Sequence, residues 1–533
     1  MASRTGKALL LVALAVFAFA VLGADRDTES RALPQVAEDA GPALRGAAFF
    51  VGDGFGGISQ TSLETNAIPW KLAAAALVLD EVSRNPGTPA TRETLRSVLK
   101  RFGFLYPQTL EGMPPDWRFS EGDKPLGMTH GEIAPVGGAR VEVANLGCAA
   151  CHASVAYDAA GNPDPTRAVP GMPNTSLDLE SYTQAVFFAM RNQADDSALL
   201  DMADRLFPQM DWRERASLRW LVLPLARSRL EELEGRDRAI AFPNGLPGAT
   251  NGVAALKLQT ASPLLEGGSG DRGFVSVPEL GLRHWRSRLL ADGAYATPSG
   301  TNDPRELAAI ASFFTVPSMG VKPEDARRHI PKAEAIFAWL ADYRPARYPG
   351  PVDETRVIRG AGIYARDCAA CHGSYVFAQG VPQLESFPDW IGDVGTDPLR
   401  AQVFDASLVQ AVQRSRYGDT IDVRTGEGYA APPLAGLWAS APYLHNGSVP
   451  TLAALLDPGT RPARFMVGGH ALDWARVGLR LERDGRYPAG YTPFSTPQWV
   501  DTSQPGLGNG GHAYGSDLPD AEKADLIEFL KAL

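Results

Sequence analysis

All four cysteines of this chain lie in two identical pentapeptides, Cys148-Ala149-Ala150-Cys151-His152 and Cys368-Ala369-Ala370-Cys371-His372. No thiol remains for a disulfide framework. Two thiols on one helical turn can each add across a vinyl group of haem, and the histidine that follows then reaches the iron from the proximal side. A single motif of this kind also fits a redox dithiol or half of a zinc site. Its duplication, with no further cysteine or clustered histidine to complete a tetrahedral zinc site, points to two covalently bound haem c groups. Cys148, Cys151, Cys368 and Cys371 are the expected attachment points, with His152 and His372 as proximal iron ligands.

Residues 1–24 have the form of a secretory signal: Arg4 and Lys7, an apolar run from Ala8 to Leu22, then small residues. The run is short for a bilayer span, which favours cleavage and places the mature protein in the periplasm or outside the cell. No cysteine follows it that could carry a lipid. The net charge of −10 argues against nucleic acid as a partner, because phosphate binding is driven by basic surface.

At 533 residues the chain exceeds what one core usually serves. The 54 glycines and 42 prolines predict long irregular connections. Helical periodicity marks Pro69 to Arg84, Pro89 to Phe102, Leu177 to Asn192, Ala194 to Phe207, Asp211 to Glu234, Pro304 to Phe314 and Pro323 to Tyr343. Before the first motif, Arg140 to Val143 alternates like a strand, whereas residues 25–60 read as mixed and Gly-rich. Residues 162–173 read as a Pro-rich loop and 239–303 as one long irregular segment wrapped over haem. The linker 344–351 divides an N-terminal haem domain, 25–350, from a C-terminal one, 351–533. In the latter, a helix leads into the second motif from Gly360, and a last helix, Asp520 to Leu533, carries Leu526, Ile527, Phe529, Leu530 and Leu533 on one apolar face. The expected class is mainly α with extensive irregular loops, in two cytochrome c-like haem domains.

The segment Ala441-Pro442-Tyr443-Leu444-His445-Asn446-Gly447-Ser448 is similar to a signature of the bacterial dihaem cytochrome c peroxidase superfamily. Phe313 to Gly320 and the Gly-rich run Gly508 to Gly515 resemble, within it, the dihaem rubber oxygenases. The resemblance implies that the N-terminal haem activates dioxygen or hydrogen peroxide and that the C-terminal haem stores or relays electrons. An oxidoreductase cleaving an apolar organic substrate is the expectation; a peroxidase fed by a small electron-transfer protein, or a non-catalytic electron carrier, are the alternatives.

The second axial positions must come from His130, His284, His329, His445, His470, His512 or a methionine. The resemblance points to His512 for the second haem, with Met466 or His470 as substitutes. It also implies that His445 and Trp438 lie near the space between the haems. The peroxidases close their first haem with a histidine shortly after the first motif, and here the next histidine after His152 is His284. An open first haem follows, with Phe274 and Trp285 as the bulky distal choices. A calcium ion between the domains is not legible in any motif.

Overall fold

The computed structural model describes residues 36–533 except 38, 54–57, 59–66, 118–121, 135–137, 194, 233–241, 260–271, 416–417 and 419. The expected secretory signal lies outside the described residues. No described helix is long and apolar enough to cross a membrane.

Helices are the main regular structure, joined by long irregular connections and small sheets of two or three strands. Its C-terminal part is organised by one helix crossing. Helix Glu354–Asp367 starts on an Asp353 cap and runs straight into the second motif, where helix Asp520–Ala532 packs across it. The close approach is possible because residue 360 is glycine: a Cβ there would sit 2.1 Å from the Asp525 carbonyl oxygen. One turn on, Tyr364 meets Phe529 with ring centroids 5.1 Å apart. Arg359 closes the rim with a two-pronged ion pair to Asp525, at 2.6 and 2.8 Å. Leu526, Ile527, Phe529 and Leu530 are buried, as the apolar pattern of this helix predicts.

A second crossing of the same design stands in the N-terminal part. Helix Pro42–Ala48, continued by a π-helical turn Phe49–Asp53, packs on helix Ile330–Asp342. Gly46 abuts the Ala335 carbonyl, which a Cβ would approach to 1.8 Å. One turn further, Phe50 meets Trp339 at 4.6 Å. Gly46 and Phe50 thus repeat Gly360 and Tyr364, while Ala335 and Trp339 repeat Asp525 and Phe529. Reading residues 25–60 as mixed missed this helix, because the stretch that links it to the motif at Cys148 is long.

Between the crossing helix and the first motif come the buried helix Trp70–Arg84, helix Arg92–Arg101 and the hairpin Met128–Ile133 with Val141–Leu146. The hairpin is the extended entry that the alternating sequence predicts. Several elements differ from expectation. Residues 163–170 form a strand between Ala153–Tyr157 and Thr109–Leu110, not a loop; Pro163 and Pro170 fall at its ends, where the missing N–H groups matter least. Residues 239–303 contain helix Gly252–Gln259. Helix Pro304–Met319 runs past Pro317 to a left-handed Gly320, although Pro317 has no N–H to donate to the carbonyl four residues back. Residues 323–343 divide at His329 into Pro323–Arg328 and Ile330–Asp342.

The halves on either side of 350 share a core. One apolar cluster runs from Ala47 through Leu340 to Leu530. The Arg464–Val467 and Gln498–Asp501 pair belongs to a C-terminal insertion that reaches back to the N-terminal half, where Leu472 N–H donates to Gly161 O and Thr496 N–H to Arg101 O, each at 2.8 Å. A buried ion pair, Arg400 to Asp292 at 2.9 Å, joins the halves again.

Candidate functional site

Each Cys-Ala-Ala-Cys run forms a single helical turn, closed by His152 N–H to Cys148 O at 2.9 Å and His372 N–H to Cys368 O at 3.0 Å. The two histidines are then fixed in the same way. His152 Nδ1 lies 3.0 Å from the Pro278 carbonyl and His372 Nδ1 2.8 Å from the Pro432 carbonyl. A carbonyl can only accept, so in each ring the proton belongs on Nδ1 and the Nε2 lone pair is left for a metal. Burial lowers the pKa of both rings, His152 to about 4, which keeps them in the neutral, ligating form.

The two proline loops follow one course. After Pro278 the chain reaches a left-handed Leu282 (φ 61°) and the 3₁₀ turn Arg283–Trp285; after Pro432 it reaches a left-handed Gly436 (φ 57°) at the same spacing and the 3₁₀ turn Leu437–Ala439. Glu279 sits between the loops. Its Oε1 accepts from Tyr343 OH at 2.9 Å and from the N–H groups of Leu280 and Gly281, and Gly436 packs on its carboxylate.

All four cysteines, both motif histidines, His445 and His512 line one cavity of about 920 Å³. They are the histidines that line it among the described residues. His372 and His512 face each other across it with ring centroids 6.2 Å apart. Two imidazole–metal bonds of about 2 Å, with the half-width of each ring, span about 6 Å, so the gap matches an iron held between the two rings. The His512 loop is pinned from several sides. Arg461 donates to the carbonyls of Leu455 (2.9 Å), Asn509 (2.6 Å) and Gly511 (2.8 Å). Asn446 and Ser448 donate to Gly508 O, and Asp397 accepts from the N–H groups of Gly506 and Gly508. His512 N–H donates to Val394 O at 2.7 Å.

The residues present fit a haem. Besides thiols and histidines, the cavity offers Arg283 and Arg286 as counter-charges for carboxylates. Arg286 is buried, and its Nε has no hydrogen-bond partner among the described residues; the Asp389 carboxylate is 3.9 Å away. Burial pulls Arg283 down to about 9, so a bound carboxylate would relieve both groups.

The other expected residues are distributed as follows. His445 lines the cavity and stacks on Tyr429 at 3.9 Å; burial lowers it to about 3. Trp438 is buried outside the lining, donating to Ala346 O at 2.9 Å and packing on Trp474. Phe274 and Trp285 do not line the cavity: Phe274 is buried beside Gly245 and Gly506, and Trp285 packs on His284. The aromatic wall is instead Phe50, Tyr182, Phe187, Phe242, Phe314 and Phe337. His130 pairs with Glu142, while His470 is buried beside Thr175. Neither His130, His284, His329 and His470 nor Met466 lines the cavity, whereas Met128 and Met319 do.

The geometry is one that would accept haem c. In agreement, residues 428–466, which hold His445 and the Pro432 loop, match a family described as RoxA-like, cytochrome c-like. This domain suggests a haem-containing oxidoreductase and implies haem c. Two uncharacterized proteins of Sinorhizobium fredii are similar: y4iM is 36% identical over 175 residues, covering 28% of this chain and 38% of its own. The other, y4iJ, is 28% identical over 270 residues, covering 38% of this chain and 43% of its own. The chain thus spans less than half the length of the curated relatives it matches.

Glu279 supplies a prediction. Burial raises its carboxyl to about 8. A carboxyl harder to ionise in the native state holds its proton longer when folded, so its contribution is most favourable below the ordinary glutamate range. It is lost as pH rises towards about 8. In Glu279→Gln the decline in stability from pH ~5 to pH ~8 is expected to shrink by a few kcal/mol, read from denaturant midpoints at the two values. An unchanged slope would place the proton elsewhere.

Proposed function

We propose that the chain is an exported dihaem oxidoreductase, with haem c on each Cys-Ala-Ala-Cys-His motif. His372 and His512 would close one iron, and His152 alone would hold the other. The observation that carries this reading is the asymmetry of the cavity: His372 has a histidine opposite it at iron-spanning distance, whereas among the described residues no ring contact pairs His152 with another histidine. An open haem supplies redox chemistry on a small oxidant, dioxygen or hydrogen peroxide. This chain's own residues orient His152 through Pro278, keep water out with aromatic side chains, and offer Arg283 and Arg286 to the haem carboxylates. The apolar wall favours an apolar organic substrate, and the closed haem would pass electrons.

One observation favours a second reading. Met128 and Met319 line the cavity, and a thioether opposite His152 would make both irons six-coordinate, as in an electron carrier, with a small redox protein as partner. Electron paramagnetic resonance of the oxidised protein separates the two. One high-spin and one low-spin ferric signal of equal weight, with two haems per chain, is the expected result. Two low-spin signals would overturn the open site, and one haem per chain would overturn the dihaem reading.

A further inference from the structure

The helical segment Trp212–Glu232 lies outside the cavity and carries an unusual surface. Trp212 and Trp220 are each 74% exposed and Leu225 is 37% exposed, although indoles are among the side chains that gain most from burial. An arginine lies over each indole: the Arg213 guanidinium is 5.5 Å from the Trp212 ring and that of Arg219 is 5.1 Å from the Trp220 ring.

The backbone brings these groups together. In an uninterrupted α-helix, residues 212 and 220 would diverge by most of a quarter turn. A π-helical turn, Leu218–Val222, interrupts this segment. Trp220 lies inside that turn, whose wider winding narrows the divergence and leaves both indoles exposed on neighbouring parts of one side. The opposite side is anchored: Glu214 pairs with Lys71, and Leu218, Val222 and Leu223 are buried.

The charges are sorted as well. Arg215 is neutralised by Asp204 at 2.6 Å and Asp201 at 3.1 Å, and Arg227 by Asp196 at 2.7 Å. Arg213, Arg219 and Arg229, all exposed, have no carboxylate within ion-pair distance among the described residues. A protein of net charge −10 therefore presents, in the first part of this segment, two exposed indoles each beside an exposed arginine that has no carboxylate partner among the described residues. Indole partitions to the headgroup level of a bilayer and guanidinium meets lipid phosphate, so this combination fits a peripheral contact with an acidic membrane.

We propose that the exposed face of 212–232 seats the protein on an anionic lipid surface. The seat is coupled to the cavity wall: Arg227 donates to Met190 O at 2.9 Å, at the end of helix Leu179–Asn192, which contributes Tyr182, Val186 and Phe187 to the lining. The inference does not depend on the reaction performed there.

The test is co-sedimentation of the full, haem-loaded chain with phosphatidylcholine vesicles, with and without phosphatidylglycerol. Binding is expected on the anionic vesicles and to weaken at high salt. Each arginine near the surface is worth about fivefold, so replacing Arg213 and Arg219 together by glutamine should weaken binding on the order of twentyfold. Trp212→Ser with Trp220→Ser should also release the protein, with the haem spectrum unchanged as evidence of intact folding. The proposal is overturned if anionic vesicles fail to sediment the protein, or if neither variant set alters binding. It is equally overturned if the tryptophan variants abolish a concentration-dependent dimer in the absence of lipid, since a second copy would then own this face.

Discussion

If the chain holds two haems as proposed, the low-spin ferric signal of the oxidised protein is expected to disappear in His512→Ala, leaving high-spin iron at both sites and full covalent haem content. The reason lies in how separately the two sides of that site are built. The proximal side is carried by the motif turn and the Pro432 carbonyl, which alanine at 512 does not touch. The distal side would depend on one imidazole, which stands opposite His372 at the tip of a glycine-rich loop. His512 itself holds a positive φ of 46°, a conformation costing about 1–2 kcal/mol for a residue with a side chain, so the loop is bent to deliver this ring. Because Arg461, Asn446, Ser448 and Asp397 bind loop backbone rather than the ring, the cavity left by the substitution should persist. Added imidazole is then expected to restore the low-spin signal. His445→Ala, in contrast, should leave it in place, since that ring is committed to stacking on Tyr429. A low-spin signal that survives at full intensity in His512→Ala would remove His512 from the iron.

What was legible in the sequence follows from how local the chemistry is. Five consecutive residues suffice to attach a porphyrin and supply a ligand, so the motifs announce themselves. The last helix is equally plain, because its apolar face is regular enough to betray burial. The wall of the cavity is not local. Phe50, Phe187 and Phe314 come from helices far apart in the chain, and nothing in their neighbourhoods separates a cavity-lining phenylalanine from a core one. Phe274 and Trp285 stand out as the bulky apolar residues on either side of His284, yet the stretch between them lines the cavity through Val275 to Gly281 and Arg283, and beyond them through Arg286. The repeat between 278–285 and 432–439 was hidden for another reason. It is a repeat of backbone course, with Leu282 standing where Gly436 stands, and a left-handed leucine leaves no mark in composition.

The two helix crossings make the sharpest demand on sequence, and they can be tested against each other. Gly360→Ala adds one methyl group that would lie 2.1 Å from a backbone oxygen of the crossing helix. Backbone cannot step aside as a side-chain tip can, so the helices must separate and forfeit the packing of Tyr364 on Phe529. A destabilisation of about 3 kcal/mol or more is expected. Gly362→Ala, in the same helix, meets nothing within 4 Å; it should stabilise by up to about 1 kcal/mol, because alanine is the better helix former. Two substitutions of identical chemistry, two positions apart, thus carry opposite signs. Gly46→Ala, whose methyl would lie 1.8 Å from the Ala335 carbonyl, should behave as Gly360→Ala does if the N-terminal crossing supports its motif as the C-terminal one does. Thermal unfolding of the three variants decides this. A neutral Gly46→Ala would mean that the N-terminal helix pair can part without loss, and that the likeness between the crossings is one of shape without shared mechanical weight.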